Sequence, residues 1–217
     1  MAQRSQPTPL TTLEHFNPKL ALADIVDGET TPVVAIDADG VLADYVYDIV
    51  SLAEALDVYT NPYTSIDHWE LYPHIFDDKD AWLPVHTALM KQADRMTLLD
   101  DTAAGAIATM RAAGIQVDIV TARNNPGAED LLDAFCSNHN IIVDTIVARQ
   151  DKHNHGMHIL FDDHTDNLVD AFNHGIIPIR KPWPYNLSEE ACAKLPTPIP
   201  SAATIADVAA WVIAGIA

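Results

Sequence analysis

Val33-Val34-Ala35-Ile36-Asp37-Ala38-Asp39-Gly40-Val41-Leu42-Ala43-Asp44 is the stretch on which the reading of this chain turns. Four apolar residues read as a buried strand, and the strand ends in two carboxylates spaced i, i+2. That spacing puts both at one sheet edge, where ligands collect in open α/β folds. Gly40 lets the backbone turn sharply and approach a ligand closely. Like charges a few ångströms apart raise one another's pKa, so the pair calls for a cation. A hard metal ion together with a phosphoryl group accounts for it, and distant segments must supply the remaining contacts.

Working outward, Leu42, Tyr45, Ile49, Leu52 and Leu56 step by three and four, which is helical spacing. A turn-rich segment, 60–80, carries Pro62 and Pro73, and a helix over 81–96 carries Trp82, Val85, Leu89 and Met96. After Leu99 the pattern becomes regular. Thr102 is positioned to cap a helix that runs to Ala113 and stops at Gly114. Strands are predicted over 115–121, 142–147, 158–162 and 176–179, and helices over 128–139 and 165–174. A last helix follows Ser201, with Ile205, Val208, Val212 and Ile216 on one face. Strands alternating with helices imply a mostly parallel sheet covered on both faces. The expected organisation is a leader, 1–32, with one short helix near 13–24, and a core built from 33–44 and 100–186. A helical insert, 45–99, interrupts the core, and a C-terminal segment, 187–217, packs its helix on it.

The bulk properties narrow the function. With 217 residues and 48% hydrophobic content the chain can bury a sizeable core. A net charge of −19 repels polymeric nucleic acid and anionic membrane surfaces, but not a small phosphate ester held through a cation. Cys136 and Cys192 have no metal-ligand spacing and suit a reducing compartment. The polar start of the chain lacks an apolar signal core, and no apolar run approaches spanning length. The expectation is a cytoplasmic protein with no membrane contact.

Four polar clusters lie at or just after predicted strand ends: Asp37/Asp39, Thr121, Lys152 and Asp162/Asp163. In a parallel sheet those ends share one edge, so the clusters can converge. Together they offer a nucleophile, a proton carrier, a hydroxyl, a cation and metal-binding carboxylates. That inventory matches phosphoryl transfer, where positioning and charge neutralisation do most of the catalytic labour. Plainer readings exist for each piece. The acidic pairs could be solvated turns or helix N-terminal clusters, Lys152 a surface lysine, and Tyr45 and Trp69 simple core. His153, His155, His158 and His164 invite a zinc reading, but their spacing fits no common structural zinc site.

In this order the four clusters resemble the motifs of the haloacid dehalogenase (HAD) phosphatase superfamily, and within it the 5′(3′)-deoxyribonucleotidases. Asp37-Ala38-Asp39-Gly40 matches the D-x-D-G motif, Ile119-Val120-Thr121 the second and Lys152 the third. Leu160-Phe161-Asp162-Asp163 followed by Asp166-Asn167 matches the acidic fourth. The resemblance implies a HAD-like Rossmannoid three-layer sandwich with a small helical C1 cap inserted after the first strand. It implies that Asp37 is the nucleophile and Asp39 the acid/base. Thr121, Ala122, Lys152 and Arg123 would hold phosphate, and Mg2+ would bind Asp37, the Asp39 carbonyl and Asp163. Asp162, Asp166 and Asn167 would support those ligands. Val41 to Asp44 followed by Tyr45 resembles the nucleotidase opening, and His68-Trp69 its cap aromatics, which would face a base. The family continues its second motif with Ser-Pro, where this chain has Ala122-Arg123.

The resemblance thus points to a magnesium-dependent phosphomonoesterase acting on a nucleoside monophosphate, with another small phosphate ester as the alternative substrate. Enzymes of this two-domain kind are often dimers, so it also admits a homodimer. A receiver-type phosphorylation switch shares the residue types but places its acidic pair first and its acceptor Asp later, the reverse of this chain. An inactive binding protein on the same scaffold would have little use for the full set.

Overall fold

The computed structural model describes residues 12–23, 30–58, 75–76, 79–195 and 199–217. Five parallel strands form one sheet: β1 (Val33–Ile36), β2 (Gln116–Thr121), β3 (Thr145–Ala148), β4 (Ile159–Asp162) and β5 (Ile177–Arg180), in the order β3-β2-β1-β4-β5. Side chains alternate across the strands, and the apolar content is high enough to bury both faces. Val34, Ile36, Val117, Ile119, Ile159 and Phe161 join the larger core. Ala35, Val120 and Leu160 point the other way and pack with Met157, Ala171 and Ile176.

The described helices are α1 (Pro18–Ala21), α2 (Tyr45–Ala55), α3 (Lys79–Met90), α4 (Ala103–Ala112), α5 (Ala128–Asn138), α6 (Thr165–Asn173), α7 (Glu189–Lys194) and α8 (Ile205–Ile216). α4, α5 and α8 cover the larger core, while α6 supplies Ala171 to the smaller one, giving a three-layer α/β sandwich. The chain runs outward from β1 through β2 to β3, then crosses back to β4 on the far side of β1. A crevice therefore opens beyond the C-terminal ends of the central strands.

Between β1 and β2 the chain leaves and returns at nearly one point. Leu99 N–H donates to the Leu42 carbonyl at 2.7 Å, and Asp44 N–H to the Thr97 carbonyl at 2.9 Å. Asp44 caps α2 through Tyr47 N–H, and α3 packs against α2. α3 ends at Met90 rather than near Met96; a 3-10 turn, Ala93–Arg95, takes the chain back. The turn-rich segment expected over 60–80 lies largely outside the described residues.

Two local expectations fail for identifiable reasons. Thr102 is itself αR and makes no capping bond. Asp100, two residues earlier, accepts from Thr102 N–H and its hydroxyl at 2.9 and 2.6 Å, and from Ile205 N–H of α8 at 2.6 Å. The third strand begins at Thr145, not Ile142, because Asn140 turns left-handed and Ile142 stays exposed. There the Asp144 carboxylate accepts Val117 N–H at 2.9 Å, gripped by Arg111 from the other side.

α8 is closed at its start by a capping box between Thr204 and Asp207. It packs on α4 and on α1. Trp211 Nε1 donates to the Phe16 carbonyl at 3.1 Å. A side chain at Gly215 would overlap Leu22, so this glycine sets the approach of α1.

Because one buried carboxylate serves the starts of both α4 and α8, Asp100→Ala is expected to cost about 2 kcal/mol. In a thermal melt that is a fall of roughly 4–8 °C, and an unchanged melting temperature would remove Asp100 from this role.

Candidate active site

β1 ends one residue before Asp37, and Asp37 N–H still donates to the Phe161 carbonyl on β4 at 3.0 Å. The ladder thereby fixes Asp37 beside Asp162 and Asp163 at the end of β4. Ligand oxygens of Asp37, Asp162 and Asp163 lie within 4.8 Å of one another, and all three residues are buried. Lys152, 3% exposed, reaches into the group from the 3-10 turn Lys152–His155. Its Nζ lies 2.9 Å from Asp37 Oδ1 and 2.7 Å from Asp162 Oδ2.

The three carboxyl groups differ in what already satisfies them. Asp162 accepts from Lys152 Nζ, from His164 N–H at 2.7 Å and from Asn167 Nδ2 at 3.0 Å. Asp37 accepts from Lys152 and from Ala38 N–H at 2.7 Å. Asp163 takes the Tyr185 hydroxyl on Oδ2, while its Oδ1 is buried with no hydrogen-bond partner among the described residues. Gly40, at φ +74°, passes so close to Asp163 that any side chain there would overlap the carboxylate. The expected close approach of glycine is thus to this carboxylate.

Burial pushes the Asp37 carboxyl up to about 7; Lys152 pulls it down and the Asp162 charge pushes it up. Burial, then the charges of Asp162 and Asp37, holds Asp163 well above the usual carboxylate range. For Lys152 burial acts downward, but the Asp162 and Asp37 carboxylates outweigh it and keep the ammonium charged. A hard divalent cation fits these residues. It would sit among oxygens of matching type, occupy the orphaned Asp163 oxygen and relieve the repulsion.

The crevice above this cluster is a cavity of about 530 Å³, lined by Asp37, Asp39, Thr121, Ala122 and Arg123 on the sheet side. Thr121 ends β2, buried, with its hydroxyl accepting Arg123 N–H at 3.3 Å. Arg123 is itself buried, and its guanidinium forks onto Asp39: Nε to Oδ2 at 2.9 Å and Nη2 to Oδ1 at 2.6 Å. Both oxygens of Asp39 therefore accept from the one guanidinium.

The opposite wall comes from the helical insert. Tyr45 at the start of α2 lines the cavity, with Trp82 and His86 one turn apart on α3. The Trp82 and His86 rings stack with centroids 4.7 Å apart, and the Tyr45 hydroxyl lies 2.8 Å from His86 Nδ1. Burial raises Tyr45 and lowers His86, so the contact joins a neutral phenol and a neutral imidazole. Asn124, Asn125, Gln150, Lys79, Met90, His164 and Asn167 complete the lining.

Of the residues singled out in the sequence, Asp37, Lys152, Asp162 and Asp163 meet in one cluster, with Asn167 behind Asp162. Asp39, Thr121, Ala122, Arg123 and Tyr45 line the cavity above it. Asp166 stays on the surface, with Lys194 Nζ 3.8 Å away. His68 and Trp69 lie outside the described residues. Sequence reasoning missed Trp82, His86, His164 and Tyr185. The i, i+4 pair of rings on α3 was a usable signal, whereas Tyr185 sits in a connecting turn with no periodicity to read.

No family model matches the chain, and no curated protein matches its sequence. Solved structures do share its fold. A HAD-superfamily hydrolase from Ehrlichia chaffeensis, 14% identical, superposes with a TM-score of 0.51 over 86% of this chain and 98% of that one. A predicted phosphoglycolate phosphatase from Haemophilus somnus, 14% identical, gives 0.55 over 83% and 98%. The L-2-haloacid dehalogenase of Xanthobacter autotrophicus, 15% identical, gives 0.50 over 84% and 98%. The fold is that of the HAD-superfamily hydrolases.

A raised carboxyl favours the folded state only while it is neutral. With Asp37 moved from 3.8 to about 7, that contribution is present below pH 3.8 and is lost as pH rises through about 7. In chelator, Asp37→Asn should melt roughly 2–6 °C above the parent at pH 8 and level with it near pH 3.5. Equal melting temperatures at both pH values would contradict the burden placed on Asp37.

Proposed function

We propose that the chain is a magnesium-dependent phosphomonoester hydrolase working through an aspartyl-phosphate, with nucleoside monophosphates, deoxyribonucleotides foremost, as substrates. The observation that carries the reading is Asp37 itself: a buried carboxylate at the cavity floor, held by Lys152 and set beside an unshared oxygen of Asp163.

Asp37 attacks phosphorus, the ester P–O bond breaks, and the phosphoryl group stays on the Asp37 carboxylate. The leaving alkoxide takes a proton from Asp39. Asp39 then takes one from the water that attacks the aspartyl-phosphate, and inorganic phosphate departs. The Thr121 hydroxyl and Lys152 ammonium hold the phosphoryl oxygens. Asp162, with no lone oxygen to spare, keeps Lys152 aimed. Magnesium, held by Asp37, the Asp39 carbonyl and Asp163, would supply charge neutralisation for the phosphoryl oxygens. Arg123 orients Asp39 through its fork, a geometry lysine cannot reproduce.

The nucleotide part of the proposal is supported by the wall of Tyr45, Trp82 and His86 facing the phosphate end, with amide groups of Asn124, Asn125 and Gln150 within the same cavity. Aromatic faces hold bases without regard to sequence, and stacking is worth about 1–3 kcal/mol per base.

Phosphate release is to be screened with magnesium over nucleoside 5′- and 3′-monophosphates, sugar phosphates and, for halide release, 2-halocarboxylic acids. Nucleotide turnover that disappears in Asp37→Asn is expected. Equal turnover of sugar phosphates would sink the nucleotide reading, and halide without phosphate release would sink the phosphatase. Arg123→Lys should lower kcat by about 10–100-fold with less effect on KM, since a misplaced proton carrier costs rate more than affinity. Trp82→Ala should raise KM for nucleotides about tenfold while sparing small aliphatic phosphate esters.

A further inference from the structure

The turn that presents Lys152 to the reaction centre carries His153 on its other side. There His153 meets the last turn of α6, where Asp170 and His174 stand four residues apart and share a face. Ligand atoms of His153, Asp170 and His174 all lie within 4.8 Å of one another. His153 Nδ1 is 2.5 Å from Asp170 Oδ2. His174 Nδ1 is 2.8 Å from the Asp170 carbonyl and 3.4 Å from Asp170 Oδ1. The two imidazole rings stack with centroids 3.8 Å apart and planes within 4°, so one ring has to turn before the in-plane lone pairs of both can meet at one ion.

We propose that His153, Asp170 and His174 form a second metal site, for zinc or a similar borderline transition ion, separate from the oxygen-only cluster at the reaction centre. Two imidazole nitrogens and one carboxylate oxygen are the donor set such ions prefer, and magnesium prefers oxygen alone. Side-chain exposures of 21%, 43% and 47% for His153, Asp170 and His174 leave the site open to entry and to a water as fourth ligand. The protons now shared between nitrogen and oxygen leave as the cation takes their place. Two elements are joined by the bound ion: the turn carrying Lys152 and the helix that begins beside Asp162 and Asn167. It braces the positions that aim Lys152 without entering the crevice. The sequence hid this set because His153 finds its partners on α6 and not among the neighbouring histidines. His155 instead bonds Asp118, and His158 accepts Val33 N–H.

The test is zinc calorimetry on chelator-stripped protein in excess magnesium, which fills oxygen-only sites, with cobalt substitution read by visible absorption. One equivalent of zinc should bind, raise the melting temperature and be competed by cobalt with the absorption of a nitrogen-ligated ion. Affinity should fall by about tenfold or more in His174→Ala and in His153→Gln, and should persist in Asp37→Asn. Both histidine variants alter partly exposed side chains, and their unliganded melts check that they fold. Absent zinc binding, binding indifferent to both histidines, or binding lost in Asp37→Asn would each overturn the proposal. None of these outcomes bears on phosphate release.

Discussion

Three buried carboxyl groups share one ammonium, and most of the molecule is arranged around that imbalance. Asp37, Asp162 and Asp163 are brought together by the pairing of β1 with β4, whose register places Ile36 opposite Phe161 one residue before the acidic positions. Little water relieves their repulsion, since Asp162 and Asp163 are fully buried and Asp37 meets the cavity with only a small part of its surface. Lys152 neutralises part of it, at the cost of burying its own charge, and Asp162 spends its oxygens holding that lysine. Left over is an Asp163 oxygen with no partner among the described residues and an Asp37 carboxyl pushed up to about 7. A site under such tension gives up stability for readiness to bind positive charge, which is the usual trade at functional positions.

Much of the sheet was legible because apolar runs ending in polar clusters carry two messages at once: a buried strand, and a crevice at its end. The acidic positions and Thr121 follow directly from that logic. Legibility failed where a side chain does the work of the backbone. Before Thr145 the Asp144 carboxylate takes the Val117 N–H while the Asp144 N–H still donates to the Val117 carbonyl, and Asp100 rather than Thr102 serves the start of α4. Such substitutions leave no periodic trace, since a carboxylate two residues upstream and one at a cap look alike in sequence. The same holds for Tyr185, which reaches Asp163 from a turn near the end of the chain.

Arg123 shows how a departure from a family pattern can carry information. The family resemblance implied a phosphate contact for Arg123. The structure spends the guanidinium on Asp39 and tucks it against Met96 Sδ at 3.3 Å. A buried arginine needs a counter-charge, and Asp39 supplies it through both oxygens; conversely the proposed reaction needs Asp39 held in a fixed direction. The pair satisfies both demands, and it ties the loop after β2 to the segment returning from the helical insert.

That tie bears on how the insert works. Its aromatic wall is built from α2 and α3; among the described residues its backbone bonds to the core fall at Leu42, Asp44, Thr97 and Leu99, and its apolar residues join the larger core. The wall is carried by helices packed into the larger core, whereas the carboxylate cluster is locked in the β1–β4 ladder. Chemistry that tolerates little misplacement is thus assigned to the sheet, and recognition that must fit a ligand is assigned to the helices. The buried Arg123–Asp39 pair stands at the boundary between the two, where Met96 of the returning segment touches the guanidinium that holds Asp39.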